Sequence, residues 1–413
     1  MKVEFKNLGP IKKATLDIRP LTVVIGPNNT GKTHLAHTVY WAHKRFAQFG
    51  AAQLAPTDPR AARVPHSVAN VGELWRSCWQ EAAQRTGTEL STAVPLVPFA
   101  NTETLVAWSA EWAKEAEAHA ARKGLKQMAT RIAAAYTHRQ ELAQVGLGEV
   151  LALVAERTSL LDFWPLYNAA TSRFAENHGA GVDDDSGLKP MLGSPLSALF
   201  GVLNDVAYDD GDDGSAPAPN SFRALAETLV AAMQAGDRVV MDSAGPVPKP
   251  MLQMASGATM PIEHAAAATK QLVALVWWLG SRAHTGAVVV IDEPELNLHP
   301  ENQARLTEGL AILVNLGVRV FVTTHSTYVV DHLNNLMAMD ALTAKQRERI
   351  VPKLKLQDER AILDPGSVAV YETTTRGTVK DIVDRKRTII DWQTFGAVSD
   401  YVTNLYGEML EAK

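Results

Sequence analysis

A glycine-rich segment near the amino terminus contains the residue types that bind phosphate groups. It fits the pattern G-x-x-x-x-G-K-[ST] through Gly26, Pro27, Asn28, Asn29, Thr30, Gly31, Lys32 and Thr33, and the expected contacts extend to His34. Glycines let backbone N–H groups turn towards phosphate oxygens at a helix N-terminus, where the helix dipole favours anions. We expect Lys32 to reach the β- and γ-phosphates of ATP and the Thr33 hydroxyl to bind Mg²⁺.

The segments on either side of this loop have the required order of strand and then helix. Leu21 to Ile25 is continuously apolar, as in a buried strand, and Thr33 to His43 has the pattern of a helix. Two further strands are predicted within residues 1–18. A chance turn rich in glycine and asparagine is the alternative, and the flanking pattern disfavours it. The segment is therefore predicted to be a P-loop.

Two acidic residues and a histidine follow apolar segments far downstream. Residues 288–291 lead into Asp292 and Glu293, and residues 318–322 lead through two threonines into His325. Asp292 is expected to hold the Mg²⁺ shell, Glu293 to orient and polarise the attacking water, and His325 to contact the γ-phosphate. An apolar run that ends in acids is common by itself, but beside a P-loop it predicts the second half of a nucleotide site.

Three apolar strands with helical patterns between them predict the α/β class with a buried, mainly parallel sheet. We predict that residues 1–60 and 222–413 form one P-loop ATPase head, into which a largely helical subdomain, residues 61–221, is inserted. The acidic runs 183–185 and 209–214 lack the spacing of a calcium loop and indicate solvated loops. The insertion also has tryptophans at helical spacing, which is more typical of a helix core than of a stacking surface. They are Trp75, Trp79, Trp108 and Trp112.

Composition indicates an ordinary globular protein. Of 413 residues, 46% are hydrophobic and 21% are charged, and the net charge of −5 gives no global positive field for nucleic acid. A local basic face remains open. Cys78 is the only cysteine, so a reducing compartment is expected. The amino terminus lacks the pattern of a signal peptide, and the longest apolar stretch, residues 272–279, is too short for a membrane span. We expect a cytoplasmic protein that does not enter a membrane.

Four segments together resemble the ABC-type ATPases outside transporters, which include SMC-like and overcoming-lysogenization-defect (OLD) proteins. The segments are 26–33, 288–293, 297–300 and 323–326, and the string IDEPELNLHP at 291–300 is especially similar. The resemblance covers about residues 1–45 and 235–400. It implies an ABC-type head in which Glu293 is the catalytic carboxylate and His325 is the switch histidine. It also implies that Glu295 to His299 form a D-loop, and that two heads sandwich ATP in a dimer or larger homo-oligomer.

The chain departs from this family at the helix before Asp292. The family places a Ser/Gly-rich signature there, whereas this sequence has Ala265 to Ala268 followed by Thr269 and Lys270. Backbone donors of a helix N-terminus could still face a partner's γ-phosphate, but slow hydrolysis or a modified dimer is expected. A Q-loop is not placed, since Gln48 and Gln53 are candidates by position alone. Residues 155–158 resemble an element of OLD-like relatives.

The resemblance to ATPase subunits of bacterial phage-defence systems suggests a regulatory ATPase in antiviral defence. Its ATP state would control a separately encoded effector, such as a nuclease, and DNA or a phage protein could be the trigger. The carboxyl-terminal acids form no convincing strand-end cluster of their own. These are Asp381, Asp384, Asp391 and Asp400. The alternatives are an SMC-type ATPase of DNA repair or chromosome maintenance, and a nucleotide-binding scaffold with little hydrolysis; a transporter ATPase is disfavoured.

Overall fold

The structure is a computed structural model that describes most of the predicted head. The described residues are 2–40, 42–43, 89–94, 150–153, 155, 218–234, 236–242, 249–392 and isolated positions between 401 and 409. Several predictions lie outside them. These concern the tryptophans and acidic runs of the insertion, Cys78, Gln48, Gln53, residues 156–158 and Asp400. The helical character of residues 61–221 and the domain boundaries stay predictions.

A six-stranded, mainly parallel sheet forms the centre of the described fold. Its strand order is β12-β11-β3-β10-β9-β5; β12 runs antiparallel to β11, and the other neighbours are parallel. In that order the strands are Val379–Asp381, Val368–Thr373, Leu21–Ile25, Arg319–Thr324, Val288–Asp292 and Val150–Leu153. The predicted α/β fold with a mainly parallel sheet is therefore confirmed.

Both faces of this sheet are covered by apolar side chains. Along β3, Val23 and Ile25 belong to one buried cluster while Val24 belongs to another, because successive side chains of a strand point to opposite faces. The same alternation separates Val289 from Val290 on β9. Burial on two faces explains why these strands read as continuous apolar runs rather than alternating ones.

Three smaller antiparallel sheets surround the central sheet. The first has the order β2-β1-β4, with strands Ile11–Asp17, Lys2–Leu8 and Glu89–Val94. The second is the meander β6-β7-β8, with strands Arg238–Asp242, Lys249–Gln253 and Thr259–Pro261. The third pairs β13 (Val383–Asp384) with β14 (Ile389–Ile390). The first of these packs with the helix after the P-loop in the smaller of the two apolar clusters.

The α-helices that connect and cover these strands are numbered α1 to α6. They are α1 (residues 32–40, with 42–43 also helical), α2 (Asn220–Met233), α3 (Ala267–Ser281), α4 (Pro300–Asn315), α5 (Thr327–Ala338) and α6 (Ala344–Ile350). None of the helices in the described part of the chain has the length and apolar content needed to cross a bilayer.

The sequence pattern placed the strands and helices around the predicted site to within a few residues, but it did not predict several other elements, among them β4, β5, β11 to β14, α5 and α6. Strands β4 and β5 lie within residues 61–221, which were predicted to be largely helical. Helix α3 begins at Ala267, because residues 262–264 form a separate 3-10 turn and Ala265 is extended. Strand β11 was not predicted at all. It is nevertheless the neighbour of the P-loop strand in the sheet, where Val370 pairs with Val23.

A buried carboxylate joins α4, α5 and the segment that follows α6. Glu308 is fully buried, and its Oε1 contacts His332 Nε2 at 2.8 Å and accepts from the Lys355 N–H at 2.9 Å. Its Oε2 accepts from the Leu356 N–H at 2.6 Å. Burial of an acid in this way is tolerated because all its partners are supplied locally.

The histidine at the end of the first helix should make folding pH-dependent. His43 is buried, its Nδ1 lies 2.8 Å from the Val39 carbonyl oxygen, and burial lowers its pKa to about 4. Between pH 6.5 and 4 the unfolded chain binds a proton that the folded chain does not, so acidification destabilises the fold. We expect His43 to remove about 3 kcal/mol from the free energy of unfolding across this range. Urea unfolding at pH 7 and at pH 4 measures the difference.

The matched variants are His43→Leu, which removes the titrating group, and His264→Gln, which alters an exposed histidine. His43→Leu should flatten the pH dependence of unfolding, and His264→Gln should leave it unchanged. Equal losses of stability on acidification in all three proteins would contradict this assignment.

Candidate functional site

The predicted site residues meet at one edge of the central sheet. Strands β3, β10 and β9 are parallel neighbours, and their registers pair Ile25 with Thr324 and Asp292 with Thr323. The carboxyl ends of the three strands therefore coincide. The P-loop follows the first, Glu293 the third, and His325 the strand between them. Ligands of open α/β sheets bind at this edge.

The P-loop is closed around the lysine side chain. Lys32 is 5% exposed, and its Nζ donates to the carbonyl oxygens of Gly26 at 3.1 Å and Pro27 at 2.9 Å. The Thr30 hydroxyl also donates to Pro27, at 2.7 Å. Asn28 and Asn29 are exposed, and Asn29 has a φ of 61°. The ammonium group is thus held by backbone carbonyl oxygens at the start of the loop.

Close neighbours explain why the pattern has glycine at its two glycine positions. Gly26 has a φ of 139°, and a Cβ there would lie 2.3 Å from Thr373 Oγ1. Gly31 has a φ of 97°, and a Cβ there would lie 2.8 Å from Ile11 Cγ1. Strands β11 and β2 therefore approach the loop so closely that only glycine fits.

Thr373 is a site residue that the sequence analysis missed. It is fully buried at the end of β11, donates from Oγ1 to the Ile25 carbonyl oxygen at 3.0 Å and lies 2.6 Å from Thr30 Oγ1. It thus connects the end of strand β3 to the P-loop by hydrogen bonds. The only signal in the sequence is a short apolar run that ends in threonine, which many strands share.

The Thr33 hydroxyl and the Asp292 carboxylate form an oxygen site of the kind that Mg²⁺ prefers. Thr33 Oγ1 donates to Asp292 Oδ2 at 3.0 Å, and Thr323 donates from its hydroxyl to Oδ1 of the same carboxylate. Mg²⁺ favours hard oxygen ligands and is usually held by one or two side chains together with phosphate oxygens. A hydroxyl and a carboxylate that already contact each other beside the P-loop fit that ion.

Glu293 has an unusual backbone conformation. Its φ is 47°, a region that residues with a Cβ rarely adopt. Its N–H donates to the carbonyl oxygen of Thr323 at 3.1 Å and to the Thr323 hydroxyl at 3.2 Å. Its own carbonyl oxygen accepts from Gln271 Nε2 at 3.5 Å. Such conformations cost about 1–3 kcal/mol and concentrate at functional sites.

His325 faces this carboxylate. Its Nε2 lies 3.4 Å from Glu293 Oε1, and both side chains are partly accessible. Burial lowers the pKa of His325, the nearby Lys32 charge lowers it further, and Asp292 opposes them. The imidazole is therefore neutral at neutral pH and keeps one donor and one acceptor nitrogen.

The lysine in the loop has a perturbed pKa that results from opposed influences. Burial lowers the pKa of Lys32, whereas the charges of Glu293, Asp292 and Glu295 raise it. Three carboxylates thus act on a single ammonium group. A site with this excess of negative charge favours a nucleotide whose own charge is partly neutralised by Mg²⁺.

The other predicted residues divide into inward-facing and exposed ones. In the expected D-loop, Glu295 and Leu298 are buried, whereas Asn297 and His299 are exposed. His34 is exposed as well, and its ring lies against Gly9.

Helix α3, which begins where the sequence departs from the family signature, has no side-chain cap at its N-terminus. Ala266 stands at the N-cap of α3 and makes no side-chain hydrogen bond, and Ala266 and Ala267 are exposed. The Thr269 side chain is largely buried, and Lys270 donates to the Glu263 carbonyl oxygen at 2.9 Å. The Thr269 and Lys270 side chains are therefore directed to the chain itself, which leaves the exposed backbone donors of the helix N-terminus.

A family model described as "AAA domain, putative AbiEii toxin, Type IV TA system" matches residues 108–331, which is more than half of the chain. The chain belongs to this AAA family. The matched region contains Asp292, Glu293 and His325, and the P-loop precedes it. The membership and the site geometry agree on an AAA-type ATPase domain that binds nucleotide. A comparison with curated proteins gave no match.

Solved structures of SMC heads are also similar to this AAA-family chain. One is the "SmcHead bound to the C-winged helix domain of ScpA", with 11% identity, a TM-score of 0.38, and coverage of 94% of this chain and 99% of that chain. Another is an Smc head with an extended coiled coil bound to the C-terminal domain of ScpA, derived from Pyrococcus furiosus. It has 10% identity, a TM-score of 0.35, and coverage of 92% of this chain and 95% of that chain. These TM-scores are too low to carry an argument about this chain.

Proposed function

We propose that this AAA-family chain is a regulatory ATPase that binds and hydrolyses ATP with Mg²⁺. The observation that carries the proposal is the convergence of a P-loop lysine, a hydroxyl–carboxylate pair and a glutamate–histidine pair at one sheet edge. The decisive contact is the 3.0 Å hydrogen bond between Thr33 and Asp292, which joins two segments far apart in the sequence. Each of these groups has a separate role in phosphoryl transfer.

The roles follow from position. Lys32 and the backbone N–H groups of the P-loop would bind the terminal phosphates, and Thr33 with Asp292 would hold Mg²⁺. When bound, Mg²⁺ supplies charge neutralisation at the phosphate oxygens. Glu293 would accept a proton from the attacking water, and the neutral His325 beside it would donate to a γ-phosphate oxygen.

Self-association would complete the site. The P-loop, Glu293 and His325 lie on one side of the expected nucleotide position, while Asn297, His299 and the uncapped N-terminus of α3 are exposed. A second copy that presents such a helix N-terminus would add backbone donors and exclude water from the phosphates. Because alanines replace the serine signature, we propose slow hydrolysis and contacts that persist in part without nucleotide.

The biological role that we propose is control of a separate effector, such as a nuclease, in antiviral defence. The family description refers to a putative toxin of a Type IV TA system, which supports an ATPase that acts as part of a larger system. Among the described residues, no group of three or more His, Cys, Asp or Glu side chains is placed to hold a metal. DNA or a phage protein is the proposed trigger. An SMC-type role in DNA maintenance is the second candidate, favoured by the resemblance of residues 291–300.

Self-association tests this function. Light scattering of the parent protein and of Glu293→Gln, each with and without Mg²⁺-ATP, should show a dimer or larger assembly that ATP stabilises. His299→Asp replaces the Nδ1 acceptor of the Glu301 N–H at the N-cap of α4 by a carboxylate oxygen, and it adds a negative charge at the exposed turn. It should weaken ATP-dependent association by about tenfold or more. Lys345→Glu, an exposed change on α6, is the control. A monomer under every condition would remove the composite site.

A further inference from the structure

Glu295 lies in the expected D-loop, yet its side chain points into the protein. It is 9% exposed, and Glu295 Oε1 accepts from Thr324 Oγ1 at 2.7 Å and from the His325 N–H at 2.8 Å. Both donors belong to the end of β10, whereas Glu295 follows β9. One carboxylate oxygen therefore joins the turns after two neighbouring strands.

Further hydrogen bonds fix the residues on both sides of His325. Thr324 is fully buried, and its Oγ1 accepts from the Ser326 N–H at 2.9 Å. The Ser326 hydroxyl lies 2.5 Å from Gln303 Oε1 on α4 and accepts from the Val329 N–H at the start of α5. The main chain around His325 is thus held on both sides, and the acceptor of the His325 N–H is the Glu295 carboxylate.

The geometry points to Glu295 as a positioning residue for His325. His325 Nε2 lies 3.4 Å from Glu293 Oε1, so a small shift of the His325 main chain would separate the imidazole from that carboxylate. We propose that Glu295 sets this distance and couples the exposed part of the turn, at Asn297 and His299, to the histidine. Contact of a second copy with the turn would then be transmitted to His325 through one side chain. The catalytic part of this inference rests on the proposed function.

The acceptor oxygen of Glu295 is what this role requires. A buried acid beside Asp292 and Glu293 carries a desolvation cost that an apolar side chain would avoid. If Glu295 only filled space, leucine of similar size would replace it without loss of activity. If it positions His325, glutamine, which keeps the acceptor oxygen, should restore most of what leucine removes.

The experiment compares Glu295→Leu, Glu295→Gln and the parent by three measurements. Hydrogen–deuterium exchange of the His325 amide in nucleotide-free protein reports directly on its hydrogen bond to Glu295. Glu295→Leu should accelerate this exchange by about tenfold or more. Single-turnover hydrolysis should fall by about 10–100-fold, while the affinity for a fluorescent ATP analogue with Mg²⁺ stays within about threefold. Glu295→Gln should lie close to the parent in all three.

The outcomes separate this inference from the proposed function. Unchanged exchange of the His325 amide in Glu295→Leu would overturn the inference, whether or not the parent hydrolyses ATP. Faster exchange with parental turnover would overturn the positioning role, and absence of turnover in the parent would overturn the ATPase. If Glu295→Leu does not fold, Thr324→Val removes the second donor to the same oxygen and should lower turnover less, with ATP affinity retained.

Discussion

Lys32→Ala is expected to abolish binding of ATP at micromolar concentrations. The side chain is nearly fully buried in the P-loop, and its ammonium group donates to the Gly26 and Pro27 carbonyl oxygens. If Lys32 binds the terminal phosphates as proposed, loss of this buried cation should raise the dissociation constant by at least about 100-fold. Equilibrium binding of a labelled ATP in the presence of Mg²⁺ measures this dissociation constant.

A matched control is Lys345→Ala, which removes an exposed lysine on α6 and should leave affinity unchanged. Thermal unfolding of both variants shows whether the loop still folds. Parental affinity in a folded Lys32→Ala protein would sink the assignment of this segment as the phosphate site. Loss of affinity in both variants would instead point to a general effect of charge.

Glu293→Gln should keep ATP binding and lower turnover by about 10²–10⁴-fold. The amide keeps the size and polarity of the side chain but cannot accept the proton of the attacking water. The backbone bonds to Thr323 that hold the φ of 47° do not involve the side chain and should persist. Phosphate release under single-turnover conditions, beside a binding titration, separates the two effects.

Glu348→Gln, an exposed change on α6, is the matched control and should have parental turnover. Turnover of Glu293→Gln at the parental rate would move the role of base to another group. Absence of turnover in the parent would favour the scaffold alternative, in which the nucleotide is bound and not consumed.

Local sequence patterns were sufficient to predict the strands that lead into the proposed nucleotide site and the residues that follow them. Leu21–Ile25 is the P-loop strand at both predicted ends, and Asp292 lies at the end of β9 as predicted. These patterns are readable because each depends on a few adjacent residues: a two-sided buried strand is apolar throughout, and a phosphate loop needs glycine at fixed spacing. The roles of Lys32, Thr33, Asp292, Glu293 and His325 in binding and hydrolysis stay predictions for the variants above.

Contacts between distant segments were not readable in the same way. Thr373 and Gln271 were not predicted to have any role, yet one contacts Thr30 and Ile25 and the other the Glu293 carbonyl oxygen. Glu295 was assigned to a surface that faces a partner, although its carboxylate bonds within its own chain. Nothing in the residues near these positions specifies such partners.

The sequence by itself determined the fold class and the three apolar strands, and it supplied the chemical groups of the proposed nucleotide site. Only the tertiary structure decided that β11 lies beside the P-loop strand and that β10 stands between β3 and β9. The physical reason is that parallel strands are joined by long crossovers, so the order of strands in the sheet is set by packing of helices and side chains across the whole head rather than by spacing along the chain. That order brings Thr33 to Asp292, Thr373 to Gly26 and Glu295 to His325.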